Sequence, residues 1–218
     1  MESHSAVRHV ALIEKCVMTG IGIRHLLGKS SLPPINIHVF RCPSAFYQQV
    51  SRHRYGSVIY SVAGTRESRQ ESIFFLTRVM HSHPGMQRLV LAGDSSEANL
   101  IAHLAPQSVQ GTACRSASLD DLKIQLQALL LGSAPAPTPR GMPPELSPTE
   151  WAILNYMYEG LSVPQIAVQM ARNAKTIRTH KFNAMSKLGV NSDTGLLYAA
   201  DILAYLPASD RRIVPRWA

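Results

Sequence analysis

Residues 132–144, Gly132-Ser133-Ala134-Pro135-Ala136-Pro137-Thr138-Pro139-Arg140-Gly141-Met142-Pro143-Pro144, hold five of the chain's fourteen prolines. Proline fixes φ and donates no backbone hydrogen bond, so a run this dense neither continues a helix nor joins a sheet interior. It reads as a semi-extended linker. It divides the 218 residues into a section of about 130 and a section of about 70, each large enough to hold a core of its own. The expected organisation is a domain over 1–131, a linker over 132–144, a second domain over 145–208 and a tail over 209–218. No repeat of fixed period crosses the linker.

The first section alternates two textures. Val7–Ile13, Ile37–Phe40, Ser57–Val62, Arg88–Ala92 and the weaker Gly111–Cys114 are short apolar runs suited to buried strands. Between them, Ile21–Leu27, Pro43–Arg52, Arg69–His81, Glu97–Ala105 and Leu119–Leu131 have helical spacing. Five β-then-α units predict an α/β fold, a doubly wound five-stranded parallel sheet of flavodoxin-like order.

The second section reads as all-α, with four helices. Ser147-Pro148-Thr149-Glu150 is a capping box with proline at the first helical position, followed by Trp151, Leu154, Met157 and Leu161 at helical spacing and Gly160 as a stop. Ser162-Val163-Pro164-Gln165 opens a short second helix that buries Ile166, Ala167 and Met170. Asn173 can cap a third helix ended by Gly189. Ser192-Asp193 starts a fourth, with Leu196, Ala200 and Leu203 on one face and Pro207 as terminator. Two short helices in quick succession, the second strongly basic, form a helix-turn-helix pattern.

The third helix carries the functional information. At about 100° per residue, Ile177, Lys181, Ala184, Met185 and Leu188 gather on one side, and Lys175, Arg178, Thr179, Phe182 and Ser186 on the other. Asn173 to Leu188 contains four Lys/Arg and no Asp/Glu. A solvated helix usually mixes signs, whereas an unmixed positive stripe repels itself until phosphates neutralise it. The formal net charge of +8 and pI near 9.7 agree with a polyanion partner. Hydrophobic content of 45% excludes wholesale disorder, and no apolar run reaches the roughly 18–20 residues of a membrane span. Met1-Glu2-Ser3-His4 is not a basic region leading into an apolar one, so no secretory signal is expected. Cys16, Cys42 and Cys114 are odd in number, with no CxxC, so a reducing, cytoplasmic setting is expected in place of a disulfide framework.

Leu146-Ser147-Pro148-Thr149-Glu150, Glu159-Gly160-Leu161-Ser162, Gln165-Ile166-Ala167, Lys175-Thr176-Ile177-Arg178-Thr179-His180 and Lys187-Leu188-Gly189-Val190 together resemble the LuxR/FixJ/NarL-type helix-turn-helix of transcription regulators. Two positions depart from the family pattern: Ala171 stands where the turn usually has Gly, and Arg172 where an apolar residue follows. The resemblance implies a regulator working on double-stranded DNA at the nucleoid. Arg178 and Thr179 would read base edges and Phe182 a thymine methyl, while Lys175, Thr176, His180 and Lys181 would touch phosphates. Ala11-Leu12-Ile13-Glu14-Lys15-Cys16-Val17-Met18, Ser147–Glu150 and His180-Lys181-Phe182-Asn183 narrow the likeness to an auxiliary activator that pairs with an RcsB-type response regulator. A homodimer is the other assembly to test. A protein-interaction adaptor that modulates or sequesters a response regulator, without specific DNA contacts of its own, is the alternative function.

Such regulators have an N-terminal phosphoacceptor receiver, which needs an acidic pair after strand one, an Asp after strand three, a Thr or Ser after strand four and a Lys after strand five. Here those positions read Glu14-Lys15, Ser61, Ala92 and Arg115. One carboxylate remains to hold Mg²⁺, and a serine has no ionised oxygen to attack a phosphoryl donor. A degenerate receiver that serves as a dimerisation platform is expected. On the fourth helix, Tyr198, Ile202 and Tyr205 are outward candidates for a second interface, or else core residues of the small domain. No cofactor, metal or catalytic group is expected. His81-Ser82-His83 with His4 and His9 has a spacing common by chance, Ser61 lacks a G-x-S-x-G context, and Gly20-Ile21-Gly22 lacks the third glycine of a dinucleotide fingerprint. Cys114 reads as a small core residue.

Overall fold

The computed structural model describes residues 7–28, 34–132 and 146–206. Strands β1 (Arg8–Ile13), β2 (Ile35–Phe40), β3 (Tyr55–Ser61), β4 (Gln87–Ala92) and β5 (Gly111–Cys114) form one parallel sheet in the order β2-β1-β3-β4-β5. This is the doubly wound flavodoxin-like order. The two-residue period of the strands sends alternate side chains to opposite layers. Ala11, Ile13, Phe40, Val58, Tyr60 and Val90 belong to one core, together with Phe46, Phe75 and Ile101 from α2 (Pro43–Gln49), α3 (Arg66–Ser82) and α4 (Ser95–Leu104). Val10, Leu12, Ile37, Ile59, Leu89 and Leu91 pack on the other face with Ile23 and Leu27 of α1 (Val17–Gly28) and Leu122, Leu126 and Leu130 of α5 (Leu119–Leu131).

Helices α3 and α4 start earlier than apolar spacing predicts because polar caps set their ends, while α2 and α5 start where expected. Thr65, Asp94 and Ser118 accept hydrogen bonds from the backbone N–H of Ser68, Glu97 and Asp121, so α3 begins at Arg66 and α4 at Ser95. The segment expected as one helix from Pro43 to Arg52 is α-helical only to Gln49 and ends in a 3₁₀ turn over Val50–Arg52.

The second section holds α6 (Pro148–Tyr158), α7 (Val163–Gln169), α8 (Ala174–Leu188) and α9 (Asp193–Ala204). Ser147 and Glu150 complete the expected capping box. The N–H and hydroxyl of Ser162 both donate to Gln165 Oε1, at 2.8 and 2.7 Å. The turns after α6, α7 and α8 share one hydrogen-bond pattern, seen after α7 as Ala171 N–H to Val168 O and Arg172 N–H to Ala167 O, at 3.1 and 2.9 Å. This Schellman arrangement requires a left-handed residue at its corner. Gly160 and Gly189 supply it with φ of 92° and 69°, and Ala171 adopts it with φ 49°. The departure seen in the sequence therefore leaves the turn intact. The proline-rich segment, the tail and Pro207 lie outside the described residues, apart from Gly132, which caps α5.

The two sections are docked together. Helix α9 buries Leu196, Ala199, Ala200, Asp201, Ile202 and Leu203, because it packs on α6 and α8 and also on α3 and α4 of the first section. A single apolar cluster runs through this contact, joining Ile101 and Leu104 with Leu154, Leu188 and Ile202. At its edge the side chains of Arg69 and Asp201, 4% and 3% exposed, pair at 3.0 Å. Arg69 also lies 3.5 Å from Glu97 and over the Tyr198 ring, and Arg66 reaches Asp201 at 3.0 Å. Ile202 is thus core rather than outward, Tyr198 faces the first section, and only Tyr205 of the expected trio is exposed. Among the described residues no helix is long and apolar enough to cross a membrane.

Candidate nucleic-acid interface and receiver pocket

Helix α8 presents its charged side to solvent because its apolar side is fully used. Ile177, Ala184, Met185 and Leu188 are buried against α6, α7 and α9. Asn173 Oδ1 accepts the Lys175 N–H at 2.8 Å and fixes the start of the helix beside the α7 turn. Lys175, Arg178, Thr179, Phe182 and Ser186 are exposed on the far side, with Phe182 at 60%. Thr179 Oγ1 donates to the Lys175 carbonyl at 3.1 Å, while Thr176 and His180 flank the stripe half-buried.

The four cations of the helix are not equivalent. Lys181 lies toward the inward side and binds both oxygens of Asp193, at 2.6 and 2.9 Å, with 12% of its side chain exposed. Its ammonium is engaged inside the domain, so its expected phosphate contact competes with this pair. Lys187 reaches Glu150 Oε2 at 2.7 Å. Burial alone would raise the Glu150 pKa, but the Lys187 hydrogen bond, then those from the Ser147 N–H and hydroxyl, hold it below the usual carboxylate range. Among the described residues Lys175 and Arg178 have no carboxylate partner. The free positive charge is therefore concentrated on the first two turns of α8, the part of a recognition helix that approaches base edges.

The receiver pocket lies at the carboxyl ends of the strands, where open α/β sheets place their sites. Glu14 follows β1, Ser61 ends β3, Ala92 ends β4 and Arg115 follows β5, so the sheet brings four of the five expected positions together. Arg115 fills the space between them. Its guanidinium lies 3.9 Å from Glu14 Oε2, 3.5 Å from Ser61 Oγ, and donates to the Val62 carbonyl. Glu14 is buried and its Oε1 accepts the Cys16 N–H at 2.7 Å. Lys15 points away, pairing at 3.1 Å with Glu71, which also accepts the Tyr60 hydroxyl. The pocket contains a fixed cation, one carboxylate and a neutral hydroxyl. Among the described residues, Lys15 stands at the expected position of the second acidic ligand and Ser61 at that of the acceptor.

Sequence reasoning missed the docking of the two sections. Its signal was Asp201, the only Asp or Glu between Leu196 and Ala204, set in a helix with apolar residues on nearly every side. An isolated charge there needs a buried partner.

A receiver-like sheet joined to an exposed helix-turn-helix is the architecture of a transcription regulator. The chain belongs to the luxR family of bacterial regulatory proteins, which matches residues 144–200. It is 43% identical over 209 residues to the transcriptional activator protein BglJ of Escherichia coli (strain K12), with 92% of each chain covered. It is 29% identical over 149 residues to the transcriptional regulatory protein RcsB of the same organism, covering 63% of this chain and 68% of RcsB. The fold matches an RcsB–DNA complex with a TM-score of 0.74 at 23% identity, covering 90% of this chain and 99% of that one.

Proposed function

We propose that the chain is a DNA-binding transcription activator that works in the cytoplasm, at the nucleoid, as a heterodimer with an RcsB-type response regulator and without being phosphorylated itself. The observation that carries this reading is the receiver pocket. Arg115 holds Glu14 and Ser61 in the place where a receiver would gather Mg²⁺ and a phosphoryl group. Chemistry that controls pairing in ordinary receivers has no acceptor here. A helix-turn-helix reads about one half-site, so specificity calls for a second protomer. The likeness to BglJ and to RcsB supports a mixed pair, one half-site each.

The first section, 1–131, would supply the pairing surface and 145–208 the DNA contact. Helices α1 and α5 lie side by side and expose Met18 (75%), Leu119 (72%) and Ile124 (63%). Exposed apolar side chains on adjacent helices fit a docking face for a partner receiver. On α8, Arg178 and Thr179 read bases, Lys175 and Thr176 position the phosphates, and Phe182 meets a thymine methyl.

Gel-shift titration on promoter DNA tests the reading. The chain alone should bind weakly and with little sequence preference. An equimolar RcsB-type partner should create a sharp specific complex, and acetyl phosphate with Mg²⁺ should add no phosphoryl mass to this chain. A tight specific homodimer complex unchanged by the partner, or a phosphoryl group mapped to residues 1–131, would overturn it.

A further inference from the structure

His9, His38 and His53 are far apart in sequence and have none of the short spacings by which metal sites are usually found. The sheet brings them together. Strand β1 pairs with β2 so that His9 lies opposite Asn36 and Ala11 opposite His38, which puts His9 and His38 two register steps apart on one face. Strand β3 starts at Tyr55, opposite His9, and the chain enters it from the 3₁₀ turn through His53. One ring nitrogen from each histidine lies within 4.8 Å of the other two. His9 Nδ1 and His38 Nε2 are 3.0 Å apart, and the His53 ring lies 4.9 Å from that of His9 and 4.5 Å from that of His38. The Tyr55 ring stands edge-on to the cluster at 5.3 Å from His38 and 5.9 Å from His53.

Among the described residues no Asp or Glu belongs to the group. The three ring nitrogens lie close enough together to reach a single ion. Two nitrogens bound to one tetrahedral zinc at about 2.0–2.1 Å are separated by about 3.3 Å, a few tenths of an ångström from the His9–His38 spacing. A set of three nitrogens, with no carboxylate and no thiolate, does not suit Mg²⁺ or Ca²⁺ and does suit borderline divalent transition metals.

We propose that His9, His38 and His53 form a divalent transition-metal site, with Zn²⁺ as its ligand and a fourth, solvent-facing position open to water. Two ligands are held on adjacent strands and the exposed His53 closes the site from the end of a loop. The metal would tie β1, β2 and the entry to β3 together. It lies away from the receiver pocket, which is at the opposite, carboxyl ends of the strands.

The test uses the full chain without a polyhistidine tag, in the presence of a non-thiol reductant. Equilibrium dialysis against ZnCl₂ should give one Zn²⁺ per chain, and a thermal scan should show a rise in Tm with zinc. His53→Gln is the informative variant, because the side chain is exposed and its loss leaves the fold intact. It should weaken zinc binding at least about tenfold, as should His38→Gln. The double variant His81→Gln/His83→Gln should bind as the parent does. The Co²⁺ derivative should show d–d bands without the intense charge-transfer absorption of a thiolate ligand. Stoichiometric zinc that persists in His53→Gln, zinc lost with His81 and His83, a thiolate band, or no stoichiometric zinc in the parent would each overturn the assignment.

Discussion

Replacing Ala171 by glycine should stabilise the protein. Ala171 is the only non-glycine with positive φ among the described residues, and it occupies the corner of the Schellman turn between α7 and α8. An L-residue held in the left-handed region costs roughly 1–2 kcal/mol, because Cβ crowds the following carbonyl. Glycine removes that cost but gains unfolded-chain freedom worth about 0.4–1 kcal/mol. The net gain is about 0.5–1 kcal/mol. For a chain of this size that is a rise of about 1–4 °C in Tm. Urea unfolding followed by circular dichroism should show a higher midpoint with an unchanged slope. Ala171→Val should move the midpoint the other way, since a β-branched side chain fits this conformation worst. DNA affinity should not change with Ala171→Gly, because the turn keeps its shape and its two hydrogen bonds. A lowered midpoint in Ala171→Gly, or a higher one in Ala171→Val, would refute the assignment of strain to this corner.

Three further outcomes are expected. Asp201→Ala strands the buried Arg69 with Gly64 O and the more distant Glu97 as partners, so it should cost about 3 kcal/mol and enlarge the radius of gyration in small-angle scattering; a compact, fully stable variant would contradict the docking. Because the folded-state pKa of Glu150 is depressed, its contribution is complete above the unfolded carboxylate range and is lost as pH falls through the folded value, so Glu150→Gln should flatten the loss of stability below about pH 4.5, and parallel acid profiles would refute this. Lys175→Ala should weaken binding to all duplexes and reduce the salt slope by about one unit, whereas Arg178→Ala should cost roughly 1–3 kcal/mol on the best site and relax preference at one or two base pairs; indistinguishable effects on specific and random DNA would show that the roles are misassigned.

Much of this fold is written locally. The apolar runs and the caps Ser147, Ser162, Asn173 and Ser192 are one-dimensional signals, so the strands, the helices and the helix-turn-helix follow from neighbours in sequence. The charged stripe of α8 was legible for the same reason, since a helical wheel needs only periodicity. What it could not reveal is that Lys181 is taken up by Asp193, because the direction of a long side chain depends on where the next helix begins. Arg66 and Arg69 meet Asp201 across more than 130 residues, a pairing that no local pattern encodes. The gathering of His9, His38 and His53 depends equally on strand order and register.

The Arg69–Asp201 pair also limits how far the chain can be treated as two interchangeable modules. Each residue is harmless only while the other is present. A chimera that transplants residues 145–208 onto another receiver would carry Asp201 to a surface without its arginine, and the reciprocal graft would leave Arg69 buried opposite an unrelated helix. Stepwise drift meets the same obstacle, since either charge lost alone is costly while their joint replacement by apolar residues is nearly neutral. The two halves are therefore bound to a shared history: the DNA-reading module can be exchanged only together with the patch of α3 and α4 that receives it.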